Sequence, residues 1–152
     1  MKDFRRNNTI PNESKKEKLT ELNYVDKADK VMQNMTRTYY TKNGKERRKI
    51  DLSTSKIRKL LAMISELYND VSREGINKKE KLSDEMLSRI QYIKMYFAYE
   101  AGRENQVGYF VKEADIFEII DDIGSDRKKL INFCHYMEAL VAYRKYYAPD
   151  KE

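Results

Sequence analysis

The stretch that decides the fold is Leu52–Val71, LSTSKIRKLLAMISELYNDV. Ile57, Leu60, Leu61, Ile64, Leu67, Tyr68 and Val71 recur at helical spacing, which predicts a helix with one core-facing side. Ser53, Thr54 and Ser55 supply candidate caps just before it. Lys56, Arg58 and Lys59 fall in its first turns and point away from the apolar stripe. A helix start carries free N–H groups and a partial positive charge, so it favours an anion. Cations placed there oppose the dipole, and a negative partner would rationalise them. A phosphate backbone is one such partner; a solvated, lysine-rich helix end is the other reading.

Upstream, Leu22 to about Thr38 reads as a first helix with Leu22, Val25, Ala28, Val31, Met32 and Met35 on one side. Tyr39–Asp51, YYTKNGKERRKID, breaks that period. Asn43-Gly44 is a turn signal and allows a short strand pair. Lys42, Lys45, Arg47, Arg48 and Lys49 make this the densest cation cluster in the chain. Tyr39 and Tyr40 beside it are placed to stack on bases; a mobile basic loop with two tyrosines resting on the core is the alternative. Residues 1–21 are polar and aperiodic and contain Pro11, which predicts a flexible basic arm before a single domain over residues 22–148.

Downstream, Gly75 is a candidate helix end and residues 76–82 a polar linker with Lys78, Lys79 and Lys81 facing solvent. Ser83-Asp84-Glu85 opens a third helix, to about Arg103. Met86, Ile90, Ile93, Phe97 and Ala101 form its main stripe, and Tyr92, Met95, Tyr96 and Tyr99 cover much of the other side. A helix apolar nearly all round is expected at the centre of a bundle. Glu100, near the buried stripe, then needs a partner, an arginine or a tyrosine hydroxyl, and a structural role. Val107–Ile123 reads as one helix with apolar residues on two sides, either wedged between partners or presenting one face to another subunit. Gly124 closes it, Ser125 caps the next, and a last helix runs from Asp126 to about Tyr147. Its core stripe is Leu130, Phe133, Cys134, Met137, Leu140 and Val141, beside Tyr136, Tyr143 and Tyr147. The expected fold is all-α, a compact bundle of about five helices.

The chain has 152 residues, 37% of them charged, with five glycines and two prolines. That punctuation is too sparse for a β protein. No apolar run approaches a membrane span, and the N-terminal stretch is charged rather than apolar, so a soluble cytoplasmic protein is expected. The net charge of +6 is uneven: residues 1–50 carry 14 Lys/Arg against 7 Asp/Glu, whereas residues 107–152 carry 7 against 9. The basic surplus leads into the Lys56 helix and fits a polyanion, with nucleic acid foremost.

Chemistry of its own is hard to find. Cys134 is the only cysteine, which excludes an internal disulfide and a Cys-rich metal site. His135 follows it directly, and neighbours on a helix point about 100° apart, so the two do not form a nucleophile pair. Asp121, Asp122 and Asp126 lack the spacing of a calcium loop, and no phosphate- or dinucleotide-binding glycine pattern occurs. An enzyme is the least supported class; neither cofactor nor metal is expected. A second reading comes from IIDDIGSDRKKLINFCHYM, whose helix, glycine turn and basic helix start resemble a DNA-binding helix-turn-helix. A third is a helical adaptor that works through the apolar face of the fourth helix alone.

Three segments in order, LSTSKIRKLLAMISELYND, YIKMYFAYEAGRE and NFCHYMEALVAYRKYY, resemble the small subunit of the type III-A CRISPR effector, the Csm complex. The resemblance covers roughly residues 50–147. It implies a non-catalytic, all-helical subunit, stacked with neighbouring copies in a minor filament beside the Csm backbone subunits and the large subunit. Such a subunit contacts the backbone of the guide RNA–target RNA duplex, while base pairing reads the sequence. RNA cleavage is implied for the backbone subunit, and DNA cleavage and cyclic-oligoadenylate synthesis for the large one. By the same resemblance, Lys56 and Arg58, from the Ser/Thr-Lys-Ile-Arg start, are the first phosphate-contact candidates, and Lys59 adjoins them. Arg103, from the Glu-Ala-Gly-Arg end, and Arg144 or Lys145, beside Val-Ala-Tyr, come second; Arg103 and Arg144 have a structural alternative, pairing with Glu100 or Glu138. Arg48, Lys49 and Lys94 rest on charge and position only.

Overall fold

The computed structural model describes residues 17–73 and 81–149; Gly75 and most of the linker after it, together with residues 1–16 of the arm, lie outside them. Among the described residues there are six helices and one two-stranded hairpin. Helix α1 spans Tyr24–Met35. Strands β1, Arg37–Tyr40, and β2, Glu46–Lys49, pair antiparallel. Helix α2 covers Thr54–Arg73, α3 Asp84–Arg103, α4 Asn105–Glu113, α5 Ile116–Ile123 and α6 Arg127–Tyr147.

Helix α2 forms as its period dictates. Ile57, Leu60, Ile64, Leu67 and Val71 are buried, and Leu61 and Tyr68 pack half-buried beside them. Each such buried aliphatic side chain contributes roughly 1.5–3 kcal/mol over leaving it in water. The Ser53 hydroxyl accepts from the Lys56 N–H at 3.3 Å and caps the start. At α3 the Ser83 hydroxyl does the same for the Met86 N–H. At α6 the cap is the Asp126 carboxylate, which accepts from the Lys129 N–H, and not Ser125. Helix α1 is shorter than its pattern: Leu22 lies before it and is almost wholly in water, Val25 is exposed, and burial begins at Ala28.

The basic loop is a hairpin. Thr41 and Lys45 close it, with the Thr41 N–H donating to the Lys45 carbonyl at 2.9 Å and the Gly44 N–H to the Thr41 carbonyl at 2.9 Å. Gly44 has φ +75, a conformation that glycine adopts freely and that this turn requires.

Three expectations about the bundle are corrected. The central helix is α6, not α3. It packs on α1, α2 and α5, and buries Leu130, Phe133, Cys134, Tyr136, Met137, Leu140 and Arg144. On α3 the stripe of Tyr92, Met95 and Tyr99 is exposed. The stretch read as one helix over 107–123 is two. Asp115, at φ 52, breaks it in a left-handed conformation. In a continuous helix the stripe of Val107, Phe110, Val111 and Ala114 would diverge from that of Ile116, Ile120 and Ile123. The break turns both inward, and all seven are buried. Neither stripe is left free for an adaptor. The Ala114 carbonyl, freed by the break, accepts from the Tyr136 hydroxyl at 2.9 Å. Finally, the helix after the glycine turn is α6 itself, so its burial removes the recognition helix that the helix-turn-helix reading needs.

Residues 17–21, at the end of the expected arm, lie against the domain: Leu19 packs on the core, and the Lys18 ammonium is 3.5 Å from Asp122.

Candidate nucleic-acid interface

Strand β2 runs into α2 through Ile50–Ser53, in which Ile50 and Leu52 are buried. The hairpin and the basic start of α2 are therefore anchored at one point. Arg144 fixes it: its Nε–H donates to the Leu52 carbonyl at 3.0 Å, and Nη1 donates to the Ala148 carbonyl at 2.7 Å. Arg144 is 7% exposed. Its guanidinium serves carbonyls inside the protein, so it drops out as a phosphate contact. Lys145, the next residue, is exposed.

The three cations of the α2 start differ. Lys56 pairs with Glu104, and its ammonium is 3.8 Å from the Glu100 carboxylate. Glu100 is 4% exposed and also has Arg103 at 3.7 Å. A carboxylate shut away from water requires such cations. The partner expected for Glu100 is thus present, and it is Lys56 as well as an arginine. That use ties down Lys56 and, in part, Arg103, whose own side chain is half in water. Arg58 is exposed, and among the described residues its side chain has neither ion pair nor hydrogen bond. Lys59 is exposed, with its ammonium 5.9 Å from the centre of the Tyr96 ring. The neighbouring Tyr96 phenol raises the Lys59 pKa above the ordinary lysine value. Lys59 is an exposed cation beside an aromatic ring.

On the hairpin, Arg37 pairs with Lys49, and Tyr39 with Arg47, on one face; Thr38 pairs with Arg48, and Tyr40 with Glu46, on the other. Arg37 and Lys49 lie 3.4 and 3.9 Å from Asp51, and Lys49 sits 5.7 Å above Tyr39. Arg47 is half-buried, with its Nε shut from water and without a hydrogen-bond partner. Arg48 is exposed, and among the described residues its side chain has neither ion pair nor hydrogen bond. Lys94 belongs elsewhere: it pairs with Asp121 of α5, on a different flank of α3 from Glu100.

Arg48, Lys49, Arg58 and Lys59 thus lie exposed within residues 48–59, Arg103 lies beside Glu100 next to Lys56, Lys145 is exposed, and Arg144 is buried. Sequence reasoning missed Arg37, which follows from the hairpin register once the Asn43-Gly44 turn is granted. It also missed Glu104, whose pairing with Lys56 depends on how α2 meets the α3–α4 junction.

The histidine and the cysteine are placed for packing. His135 is half-buried between the rings of Tyr24 and Tyr68, with Nε2 3.3 Å from the Tyr68 hydroxyl. Burial pushes the Cys134 thiol up to about 12. Among the described residues no group of three or more His, Cys, Asp or Glu side chains is placed to hold a metal ion, and no helix is long and apolar enough to cross a membrane.

Comparison with known proteins gives this geometry a context. The family model described as Csm2 Type III-A matches residues 29–150. The "CRISPR system Cms protein Csm2" of Streptococcus thermophilus is 40% identical over 129 residues, 85% of this chain and 94% of that protein. The protein of the same name from Mycobacterium tuberculosis is 34% identical over 105 residues, 69% of this chain and 82% of its own. That of Enterococcus italicus is 36% identical over 98 residues, 63% of this chain and 68% of its own. With a helical bundle and a family match over most of its length, the chain belongs to the Csm2 family, the small subunit of type III-A CRISPR complexes.

Proposed function

We propose that this chain is a non-catalytic RNA-holding subunit of the Csm ribonucleoprotein, acting in antiviral defence in the cytoplasm. It stacks with copies of itself beside the backbone and large subunits and contacts the guide RNA–target RNA duplex through its sugar–phosphate backbone. Arg58, Lys59, Arg48 and Lys49 make the main contacts, with Lys145 and Arg103 beside them; Lys56 acts indirectly by holding Glu100 and Glu104, and Lys94 contributes to the general field. The observation that carries the reading is the state of these cations. Beside the buried Glu100, whose charge is met by Lys56 and Arg103, Arg48 and Arg58 stand in water at two ends of one anchored segment, unpartnered among the described residues. Point charges on a backbone give affinity without sequence preference.

The test uses a Csm complex assembled without its small subunit, to which wild type or the triple variant Arg48→Glu, Arg58→Glu, Lys59→Glu is added. Both are expected to join. Only wild type restores target-RNA affinity, and each cation lost lowers the slope of log affinity against log salt by about 1. Equal affinity for both proteins would place the duplex contacts elsewhere.

A further inference from the structure

We propose that the outward face of the hairpin is a binding surface for unpaired RNA nucleotides, on which Tyr40 stacks a base and Arg48 takes the adjoining phosphate. This rests on the reading of RNA as the polyanion but assigns a second mode of contact, distinct from the duplex backbone.

The two faces of the hairpin are unlike. On the inner face Tyr39 and Arg47 are half-buried, Lys49 lies over Tyr39, and Arg37 and Lys49 reach Asp51. That face carries the hairpin's own side-chain contacts and its ion pairs to Asp51. The outer face, Thr38, Tyr40, Glu46 and Arg48, is exposed throughout, and Tyr40 is 70% exposed. It buries nothing in the bundle core, yet it carries a large aromatic ring and a guanidinium unpaired among the described residues.

Charge selects the occupant. Residues 37–49 hold six cations, Arg37, Lys42, Lys45, Arg47, Arg48 and Lys49, against one carboxylate, Glu46. Such a hairpin repels basic partners, and its lysine- and arginine-rich four-residue strands resist the addition of a further strand. A polyanion fits. Tyr40 and Arg48 are diagonal neighbours across the ladder, roughly 7–8 Å apart at the backbone, a separation that one nucleotide can bridge from base to phosphate. Within a duplex each base face is covered by its neighbours, so an exposed ring finds a stacking partner only where nucleotides are unpaired or at an end. Aromatic stacking beside a backbone-tracking cation is the usual chemistry of single-strand binding.

The chain contains no tryptophan, so Tyr40→Trp introduces a single indole fluorophore. The full-length protein would be titrated at low salt with oligouridylate and, separately, with a blunt, fully paired RNA duplex. Emission of the introduced indole is expected to be quenched by the single strand and not by the duplex. Tyr40→Leu weakens oligouridylate binding about tenfold while Tyr40→Phe retains it, and duplex affinity stays within about twofold in both. Unchanged indole emission at saturation, single-strand affinity unaffected by Tyr40→Leu, or wild type failing to bind oligouridylate would each overturn the inference. Arg48 serves both readings, so the double variant Arg58→Glu, Lys59→Glu tests the duplex contacts inside the complex apart from this surface, and that reading can stand if this one falls.

Discussion

Arg144 and Leu52, 92 residues apart in sequence, are joined by a hydrogen bond of 3.0 Å from the guanidinium Nε to the backbone carbonyl. The last turn of α6 thereby grips the point at which the hairpin becomes α2. An arginine that reads in sequence as a ligand contact instead holds the segment that carries the proposed contacts. Replacing Arg144 by Leu orphans the Leu52 and Ala148 carbonyls and is expected to lower stability by about 2–3 kcal/mol. Lysine cannot reproduce the planar fork, so Arg144→Lys should recover less than half. Urea midpoints of the three proteins check both statements.

Lys56 and Arg58, two residues apart, should respond oppositely to mutation. Lys56→Met withdraws a counter-charge from Glu100, which is nearly excluded from water. The expected loss is about 1–3 kcal/mol of stability. Arg58→Glu breaks no contact among the described residues and should stay within about 0.5 kcal/mol. Its effect belongs to RNA affinity in the assembled complex. Denaturation and target-RNA titration of the same two variants separate the roles.

The break between α4 and α5 makes a conformational prediction. Asp115 at φ 52 tolerates the left-handed region better than most residues. Asp115→Val, β-branched, should lose about 1–2 kcal/mol, and Asp115→Asn should be nearly neutral. Tyr136→Phe leaves the Ala114 carbonyl without its donor, which lowers stability by about 1 kcal/mol. Thermal melts followed by circular dichroism would rank the three.

Burial of Cys134 predicts a pH dependence. Its folded pKa, raised to about 12 from an ordinary 9.0, means that the folded state holds the proton more tightly. Below about pH 9 both states keep the proton, and the thiol adds no pH dependence. Above it the unfolded chain releases the proton first, and stability falls by up to about 1.4 kcal/mol per pH unit until the folded thiol titrates. The difference in urea midpoint between wild type and Cys134→Ala, taken from about pH 8 to about pH 10.5, should shrink accordingly. A thiol reagent at about pH 8 should label Cys134 only once the protein unfolds.

Much of the site was legible residue by residue. The period of Leu52–Val71, the Ser83 cap, the Asn43-Gly44 turn and the need of Glu100 for a partner all follow from local chemistry, and each is present. The assignment of cations was less legible, because a lysine or arginine reads the same in sequence whether it faces water, a carbonyl or a carboxylate. Arg48, Arg58, Lys56 and Arg144 differ only in what other helices bring to them.

By itself the sequence determined the elements and the family: helical periods, caps and turns act over a few residues, and the three ordered segments carried the resemblance to the Csm small subunit. Only the tertiary structure decided which helix is central, that Asp115 splits one helix into two, and which cations remain exposed. Those outcomes depend on contacts between residues far apart in the chain. Tyr92, Met95 and Tyr99 would have suited a core as well as Leu130, Phe133 and Met137 by composition. The burial of α6 follows from how all the apolar faces close together, because a core is shared and no single stretch encodes it.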